Sequence, residues 1–195
     1  MQNTSEQWRK MLAGEMYDPM DSTLTQARKR AQRLCGQYNR FDPEQLAERH
    51  AALIELFASF GERSEVVPPF QCDYGCHIRI GKGSFLNFGC VLLDCAWIII
   101  GDRVMIGPSV QIYGAAHPVE ADRRATGIEF ARPITIGDDV WIGGGAILCP
   151  GVTIGSGTTI GAGSVVRRDI PSNVVVAGDP CKLIRRLETA PTPAA

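Results

Sequence analysis

The chain has 195 residues, 45% of them hydrophobic, and a formal net charge of −1. A chain of this size and composition suits one soluble domain with a small appendage, and the near-neutral charge argues against a dedicated nucleic-acid binder. The sequence has no apolar run long enough to span a membrane, and its first residues, MQNTSEQWRK, do not form a signal peptide, so a cytoplasmic location is expected.

The N-terminal part of the chain, residues 1–62, is predicted to be helical. Apolar residues recur at helical spacing in PEQLAERHAALIELFASF. The predicted apolar stripe comprises Leu46, Leu53, Ile54, Leu56, Phe57 and Phe60. The triplet Asp42-Pro43-Glu44 resembles a helix start, and Gly61 resembles a stop.

Residues 63–180 follow a repeat of six residues. Aliphatic side chains, most of them followed by glycine, stand at 100, 106, 112, 136, 142, 148, 154, 160 and 166. A small or β-branched residue comes four positions later, as at Val104, Ala146 and Ser164. An earlier set with the same period, two residues out of phase, comprises Ile80, Leu86, Leu92 and Ile98. This period fits neither a helix nor a lone strand, and it predicts a solenoid of short strands that the N-terminal helices would cap.

The repeat breaks between Ile112 and Ile136, which predicts a loop inserted at one corner of the solenoid, at about 113–133. His117 begins this loop and precedes Pro118, which restricts the backbone at the histidine. A lone loop histidine is often only a surface residue, but imidazole titrates near neutral pH and is the usual general base. The other two histidines, His50 and His77, are expected to be structural, because they lie in a predicted helix and beside a repeat.

The end of the chain is basic. Between residues 162 and 188, the cations Arg167, Arg168, Lys182, Arg185 and Arg186 outnumber the acids. Such a cluster often marks a solvated face, although it also suits phosphate groups. A short helix is expected at 181–188 and a disordered, proline-containing tail at 189–195.

The seven cysteines, which include no CxxC pair, leave two interpretations open. The simpler interpretation is reduced thiols that pack as small hydrophobic residues. The alternative is a zinc site drawn from Cys72, Cys76, His77, Cys90 and Cys95. Structural zinc sites usually pair their ligands at closer spacings, which disfavours the alternative.

Two motifs carry a family resemblance. The pattern [Ile/Val/Leu]-Gly-x-x-[small]-x resembles that of the hexapeptide-repeat acyltransferases. The segment MLAGEMYDPMDSTL, residues 11–24, is similar to the N-terminal motif of the maltose and galactoside O-acetyltransferases, a branch that includes nodulation-type sugar acetyltransferases. The resemblance implies a left-handed parallel β-helix and a homotrimer with sites at the subunit interfaces. The left hand rests on the resemblance alone, since general rules favour right-handed crossovers.

The resemblance also implies transfer of an acetyl group from acetyl-CoA to a sugar hydroxyl, with no metal required. His117 matches the family's catalytic base, Asn87 is included with it among the catalytic residues, and the Gly144 N–H matches the donor to the oxyanion. The matched coenzyme A positions are Trp141, Gly144, Ala162, Arg167, Arg168, Lys182 and Arg185. The matched sugar positions are Asp18, Arg28, Asp73, Asn87, Asp94 and Glu129.

A few positions affect how the resemblance carries over. Cys95 stands where relatives can carry an acid, a change for which Asp94 could compensate, and His77 stands where asparagine is common. Asp179 places an acid beside the expected phosphate site. Glu129 is typical of the maltose-type branch.

Other functions stay open on the same fold. An acetyltransferase for an antibiotic or another non-sugar alcohol is one, although the N-terminal motif disfavours it. A zinc enzyme resembling γ-type carbonic anhydrase would need a third histidine beside His77 and His117. A non-catalytic binding scaffold is a third. The sequence does not identify the sugar, because maltose, glucose, galactosides and chito-oligosaccharides present similar hydroxyls.

Overall fold

The computed structural model describes residues 5–188 and consists of a helical segment followed by a parallel β-solenoid of about six turns. The first four residues and the predicted tail at 189–195 lie outside the described residues. The helices of the described part are α1 (Glu6–Ala13), α2 (Ser22–Tyr38), α3 (Leu46–Leu56) and, in the later loop, α4 (Ala121–Arg124). None of them is long and apolar enough to cross a bilayer.

The strands of the solenoid come in threes, one for each face of a coil. The first three coils hold β1 (Ser59–Phe60), β2 (Glu65–Val66), β3 (Gln71–Cys72), β4 (Ile78–Ile80), β5 (Phe85–Leu86), β6 (Val91–Leu93), β7 (Ile98–Ile100), β8 (Met105–Ile106) and β9 (Gln111–Tyr113). The inserted loop holds β10 (Ala115–Ala116) and β11 (Phe130–Ala131). The later coils hold β12 (Ile134–Ile136), β13 (Trp141–Ile142), β14 (Ile147–Leu148), β15 (Thr153–Ile154), β16 (Thr159–Ile160), β17 (Val165–Val166) and β18 (Val174–Ala177), and β19 (Lys182–Arg186) follows.

Like strands of successive coils stack in parallel and align the aliphatic residues of the repeat. Ile106, for example, lies in register with Leu86 of the coil before and with Ile142 of the coil after. These side chains are buried, and so are the small residues four positions later, such as Val104 and Ala146. The sequence prediction that the repeat fills the interior of a solenoid is therefore confirmed.

The phase shift in the repeat has a structural cause. Ile80 pairs with Ile100, twenty positions later, whereas Ile136 pairs with Ile154, only eighteen positions later. The early coils therefore carry two additional residues, and both fall at the corner between the third and the first face, which contains segments 73–77 and 94–97. This wider corner is where several of the predicted sugar-binding residues lie.

The other corners are tight. At Gly81, a Cβ atom would lie 2.5 Å from the backbone carbon of Gly101 in the next coil, and 2.4 Å from the Asp102 carboxylate. Glycine is required here because the next coil's backbone fills the space that any side chain would need. The helical Gly36 differs, since a Cβ there would make only an ordinary contact of 3.7 Å with the end of Arg40.

The helical segment packs in two places. Helices α2 and α3 cover the first coil, where Leu34, Tyr38 and Leu53 join the solenoid core. Helix α1 belongs instead to a second, smaller core, in which Trp8 and Met11 pack with residues of the wide corner and of the inserted loop. The segment therefore caps the solenoid, as expected, and also contacts the region around His117.

Two predicted boundaries are corrected by the structure. Helix α3 ends at Leu56 because Phe57 adopts extended backbone angles and Ala58 N–H then bonds Ile78 O, so Phe60 lies in β1 and the solenoid begins before residue 63. The predicted apolar stripe is also wrong in part, since Leu46 and Ile54 lie on α3 but are exposed.

The helix expected at 181–188 is wrong. Residues Lys182–Arg186 form β19, which turns back at Gly178 and pairs antiparallel with β18. A helix this short gains little from its own hydrogen bonds, whereas the open edge of the last strand offers a row of unpaired backbone partners.

We predict opposite effects of Gly81→Ala and Gly36→Ala on stability. Gly81→Ala should lower the thermal unfolding midpoint sharply, because its Cβ meets backbone rather than a movable side chain. Gly36→Ala should raise the free energy of unfolding by up to about 1 kcal/mol, the gain from replacing glycine within a helix. Thermal unfolding of both variants at equal protein concentration checks this, and equal midpoints would contradict the tight corner.

Candidate active site

The inserted loop brings His117 close to a carboxylate. Its two ends pair as an antiparallel ladder, with Ala115 opposite Ala131 and Ala116 opposite Phe130. As a result the His117 Nε2 atom lies 3.7 Å from Glu129 Oε1, and the imidazole is about half exposed, at 52%. The ring is therefore accessible to a substrate and has a negative charge close behind it.

Glu129 is fixed by the N-terminal segment. Its Oε2 atom accepts a hydrogen bond of 2.7 Å from the Tyr17 hydroxyl, and the two residues also form a backbone bridge. The Glu129 side chain is 21% exposed, so it is partly shielded from water. Sequence reasoning did not single out Tyr17, although it lies in the segment MLAGEMYDPMDSTL that carries the resemblance.

Asp73 and Cys95 form a pair at the wide corner. The Cys95 Sγ atom donates to Asp73 Oδ2 over 3.3 Å. Burial raises the pKa of Asp73 to about 6. Burial, and next the charge of Asp73, raises the pKa of the Cys95 thiol above its usual range, so this cysteine stays a neutral thiol and is a poor nucleophile.

Asp94 does not reach the surface of the candidate site. It has no exposed surface, and its carboxylate accepts the backbone N–H groups of Tyr74 at 2.8 Å and His77 at 3.2 Å. Its pKa is raised to about 6 by burial. The carboxylate holds the backbone of the wide corner together, so the expectation that it compensates for Cys95 in the pocket is wrong.

His77 is structural, as expected from its position beside a repeat. Its ring is buried, packs 5.0 Å from the Trp8 ring and places Nδ1 2.7 Å from Asp94 O. Burial lowers its pKa, which favours the neutral ring. Within residues 5–188, no three His, Cys, Asp or Glu side chains are grouped as a metal site would require.

Arg28 and Asp18 lie on the helical side of the same region. The Arg28 guanidinium is half-buried and donates to Tyr74 Oη at 2.7 Å and to the Pro19 carbonyl. Asp18 is exposed, and its Oδ1 atom accepts the Met20 N–H at 2.8 Å. The Asp18 carboxylate thus bonds within its own turn, while the Asp18 N–H donates to Gln7 Oε1 at 2.8 Å, and a substrate can reach the carboxylate.

At the tight corner between the first and second faces, polar side chains accept hydrogen bonds from the backbone N–H groups. Lys82 N–H donates to Asp102 Oδ1 at 2.7 Å, Asp102 N–H donates to Asp138 Oδ1 at 2.8 Å, and Asp138 N–H donates to Ser156 Oγ at 3.1 Å. Each coil supplies the acceptor for the coil before it, so the N–H groups of Lys82, Asp102 and Asp138 are all satisfied.

The corner between the second and third faces is built differently. Its equivalent positions carry Pro108, Gly144 and Ala162, none of which has a polar side chain. Within the described part of the chain, the N–H groups of Gly144 and Ala162 donate to no acceptor. Asn87 lies at the same corner in an earlier coil, and its Oδ1 atom accepts a hydrogen bond of 2.8 Å from the Phe88 N–H. Trp141 is 53% exposed on the adjoining face.

A basic cleft lies at the C-terminal end of the solenoid. It has a volume of about 340 Å³ and is lined by Arg167, Arg168, Ile170, Pro180, Cys181 and Lys182. Arg185 lies on β19, opposite Val175. Asp179 forms an ion pair of 3.0 Å with Arg167. The acid that the sequence places beside the expected phosphate site is therefore paired with a cation.

The predicted site residues therefore form two groups in one chain. His117, Glu129 and Asp73 lie at the corner between the third and first faces, whereas Asn87 and Gly144 lie at the corner between the second and third faces. A single chain thus does not bring the histidine and the free backbone donors to one corner.

Comparisons with known proteins identify the family. A model described as the maltose acetyltransferase hexapeptide capping motif matches residues 10–61, and one described as bacterial transferase hexapeptide (six repeats) matches residues 133–168. Nodulation protein L of Rhizobium meliloti is 46% identical to this chain over 92% of the chain and 98% of the relative. The chain belongs to the maltose and galactoside acetyltransferase family. As a member of it, the protein is an acyltransferase.

Solved structures of this acetyltransferase family agree with the fold. The crystal structure of a maltose O-acetyltransferase from Clostridium difficile matches with a TM-score of 0.93 at 43% identity, over 95% of this chain and 99% of that one. A galactoside acetyltransferase in complex with coenzyme A matches with a TM-score of 0.91 at 38% identity, over 95% of this chain and 92% of that one. The family's capping motif corresponds here to the helices that cover the first coil.

We predict that Asp73→Asn changes how stability depends on pH. The pKa of Asp73 in the folded protein, about 6, lies above that of an ordinary aspartate, so the stability it contributes is full below about pH 4 and is lost as the pH rises to 6. Relative to the variant, the wild type should lose on the order of 2 kcal/mol over this range.

Urea unfolding at several pH values measures this difference. Asp94 also has a raised pKa, and its charge helps to raise that of Asp73, so the difference between the two proteins includes this interaction as well as the Asp73 carboxyl itself. Stability curves that stay parallel from pH 4 to pH 7 would contradict the buried state of the Asp73 carboxylate.

Proposed function

We propose that this protein transfers the acetyl group of acetyl-CoA to a hydroxyl of a sugar, with His117 as the general base. The observation that carries the proposal is the exposed imidazole of His117 with Glu129 Oε1 3.7 Å from Nε2. Positioned histidines of this kind activate weak nucleophiles, and an alcohol is one until a base removes its proton.

The reaction needs one proton to move from the sugar hydroxyl to His117 and then from His117 to the leaving thiolate. The sugar oxygen attacks the thioester carbonyl carbon as the His117 ring takes the hydroxyl proton. The carbon–sulfur bond of the tetrahedral intermediate then breaks, and the ring returns the proton to the leaving thiolate, so no covalent enzyme intermediate forms. The Glu129 carboxylate stabilises the imidazolium that exists between the two transfers, as a carboxylate does beside a catalytic histidine.

The free N–H groups at the corner between the second and third faces support a role for this corner in binding the thioester. An oxyanion needs a donor that is already in place, and the Gly144 N–H has no acceptor within residues 5–188. The neighbouring Ala162 N–H is equally free to bind an amide carbonyl of the pantetheine chain. The missing side chains at this corner leave room for that chain to approach the backbone, and Trp141 offers an apolar surface beside it.

The basic cleft suits the phosphates of coenzyme A. Arg168 and Lys182 line it without an acidic partner among the described residues, and Arg167 keeps donors in addition to its bond with Asp179. Arg185 on the adjoining strand adds a further cation near the C-terminal end. Arginine and lysine are the usual phosphate-binding residues.

The sugar is proposed to bind between the helical segment and His117. The residues in question are Asp18, Arg28, Asp73 and Glu129 of one chain together with Asn87 from the adjoining corner of the next subunit, whose carboxylates, amide and guanidinium can bind hydroxyls. Asp73 is largely ionised at neutral pH because its pKa is about 6, so it accepts hydrogen bonds there. The relatives' names, which include maltose and galactoside O-acetyltransferases, favour a sugar over another alcohol.

The division of the site between two corners supports a homotrimer. In a closed three-fold ring, the corner that carries His117 can meet the corner of the next subunit that carries Asn87 and Gly144. Three apolar side chains on the second face and on the corner between the second and third faces are exposed and suit burial against such a neighbour: Phe88, Met105 and Trp141. A cytoplasmic location fits the seven free cysteines, since that compartment keeps thiols reduced.

We predict that His117→Ala lowers kcat by about 10²–10⁴-fold, because the base is lost, while the dissociation constant for coenzyme A is retained. The measurement is thiol release from acetyl-CoA with maltose, glucose, a galactoside, a chito-oligosaccharide and a non-sugar alcohol, ranked by kcat/KM. His50→Ala, at an exposed position on α3, is the matched control and should keep wild-type turnover. Unchanged turnover in His117→Ala would refute the assignment.

We also predict complementation between His117→Ala and Asn87→Ala. Each variant alone should be nearly inactive, but randomly mixed trimers contain interfaces with His117 from one chain and Asn87 from the next. Equal co-expression should therefore restore about one quarter of wild-type activity. Activity no higher than that of the two variants measured apart would place both residues in the same chain's site.

A further inference from the structure

Tyr17 and Glu129 are joined by three hydrogen bonds across 112 positions of sequence. Tyr17 N–H donates to Glu129 O at 2.9 Å, and Glu129 N–H donates to Tyr17 O at 3.1 Å. The Tyr17 hydroxyl then donates to Glu129 Oε2 at 2.7 Å. Both the backbone and the end of the glutamate side chain are thus held by the same tyrosine.

The tyrosine itself cannot move easily. It is 1% exposed and belongs to the second core, together with Trp8, Met11, Leu24 and Ala131. Burial is the main cause that raises the pKa of Tyr17 far above its usual range, and the neighbouring Cys95 adds to it. The phenol therefore stays protonated and remains a hydrogen-bond donor throughout the range in which the enzyme would work.

Tyr17 has no substitute in this contact. Among residues 5–188, it is the one side chain that donates to Glu129 Oε2, since the nearby Cys95 thiol bonds Asp73 instead. The terminal torsion of a glutamate is broad, so a carboxylate without a fixed partner samples many orientations. A donor at Oε2 restricts that torsion and leaves Oε1 directed at His117 Nε2.

We propose that Tyr17 is a positioning residue for the catalytic base: it fixes the Glu129 carboxylate so that this carboxylate can orient His117 and stabilise its protonated form. The inference rests on the proposed function, in which His117 removes the proton of the acceptor hydroxyl. It assigns to the N-terminal segment a part in the chemistry, beyond covering the first coil. Tyr17 acts through Glu129 and does not touch the reacting atoms.

A double-mutant cycle tests this with Tyr17→Phe, Glu129→Gln and the combined variant. Tyr17→Phe should lower kcat about tenfold, as expected for one hydrogen bond to a charged group, while the KM for acetyl-CoA stays within about twofold. Glu129→Gln should lower kcat at least as much. The combined variant should be no slower than Glu129→Gln, because the hydroxyl has no further effect once the carboxylate is gone.

Tyr38→Phe is the matched control. Tyr38 is a buried tyrosine of α2 whose hydroxyl donates to Val66 O, remote from His117, so its loss should leave kcat unchanged. Thermal unfolding midpoints of all variants show whether the fold is retained. Glu129→Asp carries the test if Tyr17→Phe does not fold, since the shorter side chain keeps the charge but withdraws it from both partners.

The outcomes separate the inference from the proposed function. A wild-type kcat in Tyr17→Phe or in Glu129→Asp, or effects that multiply in the combined variant, would overturn the role of Tyr17 while leaving His117 as the base. A wild type that acetylates no sugar, or an active His117→Ala, would instead overturn the proposed function.

Discussion

The hydrogen bonds between like strands of successive coils govern the rest of this structure. Met105 N–H, for instance, donates to Val140 O of the next coil, and the same pairing recurs around all three faces. This ladder places equivalent sequence positions above one another, so that every sixth residue points into a narrow interior. Any additional residue must then be accommodated at a corner, because the faces have no room for it.

The candidate site lies at three places where the chain departs from the regular repeat. Two additional residues widen one corner and provide Asp73 and Cys95, and the inserted loop at that corner provides His117 and Glu129. A different corner lacks the polar side chains that bond the N–H groups of its counterpart, and the Gly144 N–H there has no acceptor in the described part of the chain. The regular repeat thus acts as a scaffold, and the candidate site residues lie at the positions where it is interrupted.

Much of this could be predicted from the sequence, because the repeat is local and periodic. The interior positions, the inserted loop and the family followed from that pattern and from one N-terminal motif. The strand at Lys182–Arg186 could not be predicted, since it depends on the unpaired edge of β18. The burial of Asp94 and the bond from Tyr17 to Glu129 also escaped prediction, because they depend on contacts between segments distant in sequence.

The bond between Tyr17 and Glu129 has a consequence for the order in which the chain can fold. The coils of the solenoid join segments about twenty positions apart, but Tyr17 must wait for a partner that is synthesised 112 residues later. At translation rates of 5–20 residues per second this delay is roughly 6–22 s, during which the apolar surface of α1 has no complete docking site. The first coils can therefore form before the region around His117 can assemble.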